Sequence, residues 1–256
     1  MKIDPKLETE KITKFIRDTL EKTKIQKVVL GLSGGIDSAT SLYLLKKSIP
    51  VENIIVSHLY YYKPLNLELL TKDLPKKNVH NISIKKVVDD LWVSESQFPA
   101  QGRQVQDEKI RFGNIAARVR MIILFDLAKK NKALVCGTEN RSEHLLGYFT
   151  RFGDQASDFE PIRHLYKNQV LKLAKHLGVP KKIIKQRPTA GLWIGQTDEN
   201  ELGFTYEEAD RVLNLYFDKK IKLGEIEKKG FKNTKKIIEY VLKNKFKRET
   251  PYSLKY

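Results

Sequence analysis

Residues 31–38 read Gly31-Leu32-Ser33-Gly34-Gly35-Ile36-Asp37-Ser38, directly after the apolar run Val28-Val29-Leu30. These types at this spacing suit one kind of chemistry. A strand delivers the chain into a turn of small residues, and a helix follows. Gly34 and Gly35 let the backbone approach an anion closely, and the N–H groups at the helix start face it. Asp37 stands inside this socket. A carboxylate beside a phosphate is repulsive unless a cation bridges the two, which points to Mg²⁺. The ordinary alternative is a strand-to-helix turn with a serine cap. A Walker A loop is excluded, because no Gly-Lys-Ser/Thr follows.

A second constellation follows the apolar run beginning at Ala133. It reads Gly137-Thr138-Glu139-Asn140-Arg141-Ser142-Glu143. If both runs are neighbouring strands, Thr138 and Glu143 face the same crevice as Asp37, and Glu143 would complete a Mg²⁺ site. Taken alone, Thr138 and Glu143 equally read as a helix cap and a first-turn acid.

The elements that must position these residues follow from periodicity. Residues 6–24 predict an amphipathic helix with Ile12, Phe15, Ile16 and Leu20 on one face. Strands are expected at 28–30, 53–60, 82–84 and 133–137. Helices are expected at 39–47, near 65–73, at 110–130 and at 168–178. Short apolar strands alternating with helices mean an α/β fold with a doubly wound parallel sheet flanked by helices. Ligands then lie at the carboxyl ends of the strands. From Tyr206 onward the pattern is helical and basic. Its closing helices, 223–229 and 233–244, are expected as a C-terminal tail packed on the sheet rather than a helix-turn-helix. The whole reads as a single domain, 1–256, with a core of about 25–180. The stretch 195–205, polar and holding Gly195 and Gly203, is expected to be a mobile loop that closes over the site.

The chain has 256 residues and is 41% hydrophobic, ample for a core. It holds no apolar run long enough for a membrane span, and its N-terminus lacks a signal-peptide pattern. The single cysteine, Cys136, excludes a disulfide framework and fits a reducing, cytoplasmic setting. Its apolar context predicts a buried core thiol. The net charge of +17 favours anionic partners such as nucleotides. Many lysines stand in scattered pairs, however, as on a solvated surface, so a nucleic-acid partner is not expected.

The first motif resembles the pyrophosphate loop of ATP pyrophosphatases, which adenylate a substrate and release pyrophosphate. Over nearly its full length the chain resembles the ammonia-dependent NAD synthetases, whose sheet is adenine nucleotide alpha hydrolase-like. The resemblance rests on GLSGGIDS (31–38), GNIAARVRM (113–121), GTENRSE (137–143), GYFTRFGD (147–154), PTAGLW (188–193) and QTDENELGFTY (196–206), in this order. It implies a homodimer with its substrate site at the interface, making NAD from deamido-NAD, ATP and ammonia through an acyl-adenylate. It implies that Gly31, Leu32, Ser33, Gly34, Gly35, Ile36, Asp37 and Ser38 cradle ATP, with Thr138, Lys167 and Thr189. Asp37 and Glu143 would hold Mg²⁺, and both would serve catalysis with Lys167. Arg118, Arg151, Asp158, Phe246 and Lys247 would contact deamido-NAD. The chain departs from the family where Arg151 replaces a common Lys, Gln155 a common Gly, and Phe246 a common His. The length leaves no room for a glutaminase or nitrilase domain, so free ammonia is the expected nitrogen donor. Two other classes stand beside this one. A tRNA-modifying pyrophosphate-loop enzyme shares the chemistry, but its sulfur-transferring members need more than one cysteine. A non-catalytic nucleotide- or nucleic-acid-binding module has no use for a carboxylate pair.

Overall fold

The computed structural model describes residues 1–92, 103–189 and 195–254, with the side chains of 103–106 left aside. Helix α1 is Pro5–Thr23, and strand β1 is Lys27–Gly31. Helix α2 (Ile36–Ser48), strand β2 (Ile54–Tyr60), helix α3 (Glu68–Thr71), strand β3 (Val79–Ser83) and helix α4 (Lys85–Leu91) follow. Then come helix α5 (Arg103–Asn131), strand β4 (Ala133–Cys136), helix α6 (Arg141–Leu146), helix α7 (Lys167–Leu177) and helix α8 (Lys181–Ile184). The C-terminal part holds α9 (Asp198–Leu202), α10 (Tyr206–Leu213), α11 (Leu223–Glu227) and α12 (Thr234–Lys243).

The four strands form one parallel sheet in the order β3-β2-β1-β4. The central strand β1 and its neighbour β4 carry unbroken apolar runs because both faces are covered, whereas the edge strand β3 reads Val-His-Asn-Ile-Ser and is only partly buried. Val28, Leu30, Ile54, Val56, Leu134 and Cys136 join the core with Ile12 and Ile16 of α1, Leu42 and Leu45 of α2, and Val170 and Leu173 of α7. Val29, Ile55 and Val135 face the other way and pack with Leu127 and Ala128 of α5. From β1 the chain leaves to β2 on one side, and it returns to β4 on the other. The loops after β1 and β4 therefore face each other at the switch point, where α/β sheets bind ligands. Cys136 is buried, as its context predicts.

The structure corrects several boundaries. Helix α2 begins at Ile36 rather than 39, which places Asp37 in its first turn. Helix α3 spans only four residues of the expected 65–73. Strand β3 starts at Val79, not 82. There Asn78 Nδ2 donates to the carbonyls of Glu52 (2.8 Å) and Ile54 (3.0 Å), so the ladder with β2 opens one residue later, at Val79 opposite Val56. The C-terminal helices do not pack on the sheet. They build a second core in which Val212, Leu213, Ile237, Ile238 and Val241 enclose Leu146 of α6 and Tyr166. Helix α12 buries Ile237, Ile238 and Val241 against Val212 and Leu213 of α10, so its apolar stripe is used up away from the sheet.

Ile16 is fully buried where α1 meets the sheet core. Ile16→Ala is expected to lower stability by about 2–5 kcal/mol, read as a shifted denaturant midpoint at unchanged slope. A loss below about 1 kcal/mol would mean that α1 is not packed there.

Candidate active site

The loop after β1 is held in shape by its serines. Leu32 N–H donates to Ser57 O (2.9 Å), continuing the ladder past the strand end. Gly35 N–H donates to Ser33 Oγ (3.2 Å), Ser33 Oγ lies 3.0 Å from Ser38 Oγ, and Ser38 Oγ donates to Gly35 O (3.1 Å). Gly34 sits at φ +84°, in the left-handed region that favours glycine. Gly35 caps α2 without a side chain, so the first-turn N–H groups of Ile36, Asp37 and Ser38 lack an intrahelical partner. Together with the helix dipole they make a site for an anion.

Three charged groups meet beside this loop. Lys167 Nζ donates to Asp37 Oδ2 (2.5 Å) and to Glu143 Oε1 (3.0 Å). The three side chains are 10%, 16% and 17% exposed, respectively. Asn140 joins the two carboxylates: its Nδ2 donates to Asp37 Oδ1 (3.0 Å), and its N–H donates to Glu143 Oε2 (3.3 Å). Its Oδ1 accepts Glu143 N–H (3.1 Å), closing a reciprocal cap on α6. Burial pushes the Glu143 carboxyl up to about 8, against the pull of Lys167. Burial alone would lower Lys167, but the Asp37 and Glu143 carboxylates outweigh it and hold the ammonium above its ordinary value. Lys167 is thus a fixed cation at the site.

A second layer positions that lysine. Its N–H donates to Ser142 Oγ (2.9 Å), which donates to Asp210 Oδ1 (2.5 Å) of α10. The Lys167 ammonium lies 5.2 Å above the Tyr206 ring. Tyr206 OH donates to Asp198 Oδ2 (3.1 Å), and Tyr148 OH to Asp198 Oδ1 (3.3 Å) and Glu201 Oε2 (2.9 Å). In the stretch 195–205, Gln196, Asp198 and Leu202 are buried, and helix α9 carries Asp198 toward the lysine.

The expected contacts of the second substrate fall partly together. Arg118 Nη2 donates to Arg151 O (3.3 Å). The Arg151 guanidinium lies 5.4 Å from the ring centres of both Phe152 and Phe246. Phe152 is held at φ +56°, rare for so bulky a residue. Lys247 Nζ donates to Gly147 O (2.8 Å) and Phe149 O (3.1 Å). The departures Arg151 and Phe246 are therefore partners in one stack, in which a planar guanidinium suits an aromatic ring. Asp158 is exposed, and its Oδ2 accepts Val135 N–H (2.7 Å) at the edge of β4. Thr138 is half-buried just beyond β4, and Thr189 is exposed. The rest of the PTAGLW segment after Thr189, residues 190–193, lies outside the described residues.

The carboxylate pair meets the needs of Mg²⁺, which takes one or two carboxylates and completes its shell with phosphate oxygens and water. Asp37 and Glu143 converge beside the anion-binding loop, and each carboxylate oxygen can accept a second contact. No cluster of three or more His, Cys, Asp or Glu suited to a metal occurs among the described residues. A cation here would depend on oxygens that a ligand brings.

A profile described as NAD synthase matches residues 8–251. The chain belongs to the NAD synthase family. Curated relatives in this family include the NH(3)-dependent NAD(+) synthetases of Thermoplasma acidophilum, 42% identical over 97% of both chains, and of Thermococcus kodakarensis, 43% identical over 86% of this chain and 84% of that one. Among solved structures, the fold is similar to the NMN synthetase of Francisella tularensis (31% identical, TM-score 0.81, all of both chains). It is also similar to the NH3-dependent NAD synthetase of Campylobacter jejuni (30% identical, TM-score 0.77, 99% and 100% covered).

Asn140, Asp198, Tyr148, Tyr206 and Asp210 carry the site without having been singled out for it from sequence. Asn140 three residues before Glu143 is a readable capping signal. The others are joined only by the fold. Glu160 also belongs here. It accepts Glu139 N–H (3.1 Å) and Ser157 Oγ–H (2.7 Å), and it fills the space where a Cβ on Gly137 would stand. Burial pushes its carboxyl up to about 8. A carboxyl raised on folding binds its proton more tightly in the native state, so stability falls as pH rises from the ordinary carboxylate range to about 8. Glu160→Gln is expected to flatten that part of the stability–pH curve in denaturant titrations. An unchanged slope would show that Glu160 is already ionised in the fold.

Proposed function

We propose that the protein is an ammonia-dependent NAD synthetase, a ligase that makes NAD from deamido-NAD, ATP and ammonia. The observation that carries the reading is Lys167 fixed between Asp37 and Glu143 beside the open N-terminus of α2. The nicotinate carboxylate attacks the α-phosphorus of ATP, and pyrophosphate leaves. Ammonia then attacks the acyl-adenylate, giving the amide and AMP. A carboxylate is a poor electrophile, and adenylation gives it a leaving group.

This chain's part is positioning and charge stabilisation. The loop 31–38 cradles phosphates on its N–H groups. Lys167 offsets the repulsion between two anionic substrates and faces the charge that develops on the phosphoryl oxygens. Asp37 and Glu143 would hold Mg²⁺, which would supply further charge neutralisation on ATP. Thr138 and Thr189 are proposed ATP contacts. Arg118, Arg151, Asp158, Phe246 and Lys247 are proposed deamido-NAD contacts, with Arg151 presented by its two rings. The segment 195–205 covers the reacting carboxylate and excludes water. We further propose a cytoplasmic homodimer with the dinucleotide at the subunit interface.

The test mixes the protein with ATP, Mg²⁺, ammonium and either deamido-NAD or nicotinate mononucleotide, and quantifies products by chromatography. Equal NAD, AMP and pyrophosphate from the dinucleotide are expected. Glutamine in place of ammonium should support little turnover. Asp37→Ala is expected to slow turnover at least ~100-fold. Preferential amidation of the mononucleotide would move the protein toward NMN synthesis. AMP formed only with tRNA would move it to the tRNA-modifying enzymes.

A further inference from the structure

His58 is buried near the carboxyl end of β2, and both ring nitrogens are engaged by backbone. Nδ1 lies 3.0 Å from Leu32 O, and Nε2 accepts the N–H of Leu65 at 3.1 Å. A carbonyl can only accept and an amide N–H can only donate, so the ring must be neutral with its proton on Nδ1. Burial also holds the imidazole below its ordinary value.

The two backbone groups belong to the walls of the nucleotide site. Leu32 opens the phosphate loop. Leu65 lies on the segment between β2 and α3 that crosses over that loop: the Leu65 and Leu67 side chains come within 3.1 and 3.2 Å of where a Cβ on Gly34 would stand. Beneath the segment is a cavity of about 230 Å³ lined by Leu32, His58, Leu65, Asn66, Glu68 and His80, among others. One imidazole thus fixes the distance between the loop and the strap above it.

We propose that His58 is a positioning residue for ATP binding: a neutral latch joining the phosphate loop to the 61–67 strap. It touches no reacting atom in this account. It sets the spacing of the groups that grip the nucleotide, so it acts on ATP affinity and not on the later attack by ammonia. The proposal rests on the proposed function for ATP binding at the 31–38 loop and for its kinetic readout.

The test has three arms. Nitrogen-edited NMR of ¹⁵N-histidine-labelled protein at neutral pH is expected to report His58 with a protonated Nδ1 and an accepting Nε2; the opposite tautomer or an imidazolium would overturn the latch. In kinetics, His58→Phe, which loses both bonds at similar size, is expected to raise the ATP KM about tenfold or more, with kcat and the deamido-NAD KM within about twofold. His58→Asn retains an amide donor near Nδ1, and His58→Gln can place an acceptor near Nε2. Each is expected to recover part of the loss. An unchanged ATP KM in His58→Phe, or an equal loss in kcat and both KM values, would overturn the proposal. Direct titration with ATP separates the two readings. If the wild type binds ATP without making NAD and His58→Phe weakens that binding, the function reading fails and the latch stands.

Discussion

Two carboxylates that are mostly withdrawn from water repel each other unless a cation lies between them, and here that cation is the Lys167 ammonium. Asp37 arrives from the first turn of α2, Glu143 from the first turn of α6, and Lys167 from the start of α7. These three helix starts meet only because β1 and β4 are neighbours in a parallel sheet. The parallel order places both strand ends, and the loops they feed, on one edge. Burial of each group is tolerable only with its partners in place, since an uncompensated charge in such a position is far more costly than the pair. The site and the sheet are therefore parts of one electrostatic arrangement.

The second core extends this arrangement. Its helices bring Asp210 to Ser142 and Asn168, and Tyr206 beneath the lysine. The turn Lys245–Arg248 then docks on the end of α6 and the loop after it: Lys247 donates to the carbonyls of Gly147 and Phe149, and Arg248 to that of Leu145. That docking places Phe246 against Arg151. A tail that packed on the sheet would leave both Lys167 and Arg151 without these supports.

Strands β1, β2 and β4 were legible because each carries a short apolar run between helical periods, and both covered faces demand such runs; the edge strand β3, with His80 and Asn81, carries no such run. The loop 31–38 and Glu143 were legible because glycines, serines and an acid at fixed offsets each answer a local backbone need. Lys167 was not legible from its own surroundings. It is one of many lysines, and its meaning lies in partners 130 and 24 positions away. His58 and Asp198 were silent for the same reason: their roles depend on contacts across the fold. The start of β3 was missed because a side chain, Asn78, fixes it through carbonyls on another segment. The resemblance to the family supplied Lys167, Arg118 and Arg151 where residue types alone did not. It gave no warning that Arg151 and Phe246 stack on each other.

The most direct measurement compares denaturant stability, near pH 8, of Lys167→Met with that of Asp37→Asn/Glu143→Gln/Lys167→Met. Removing the ammonium alone leaves the buried Asp37 carboxylate without its cation, while Glu143, whose carboxyl stands at about 8 even beside Lys167, takes up a proton; the loss of the cation is expected to cost about 3–5 kcal/mol. Neutralising all three groups is expected to restore most of that loss, because no uncompensated buried charge remains. A triple variant no more stable than Lys167→Met would contradict the account, for the lysine would then matter through packing and not through the charges it separates.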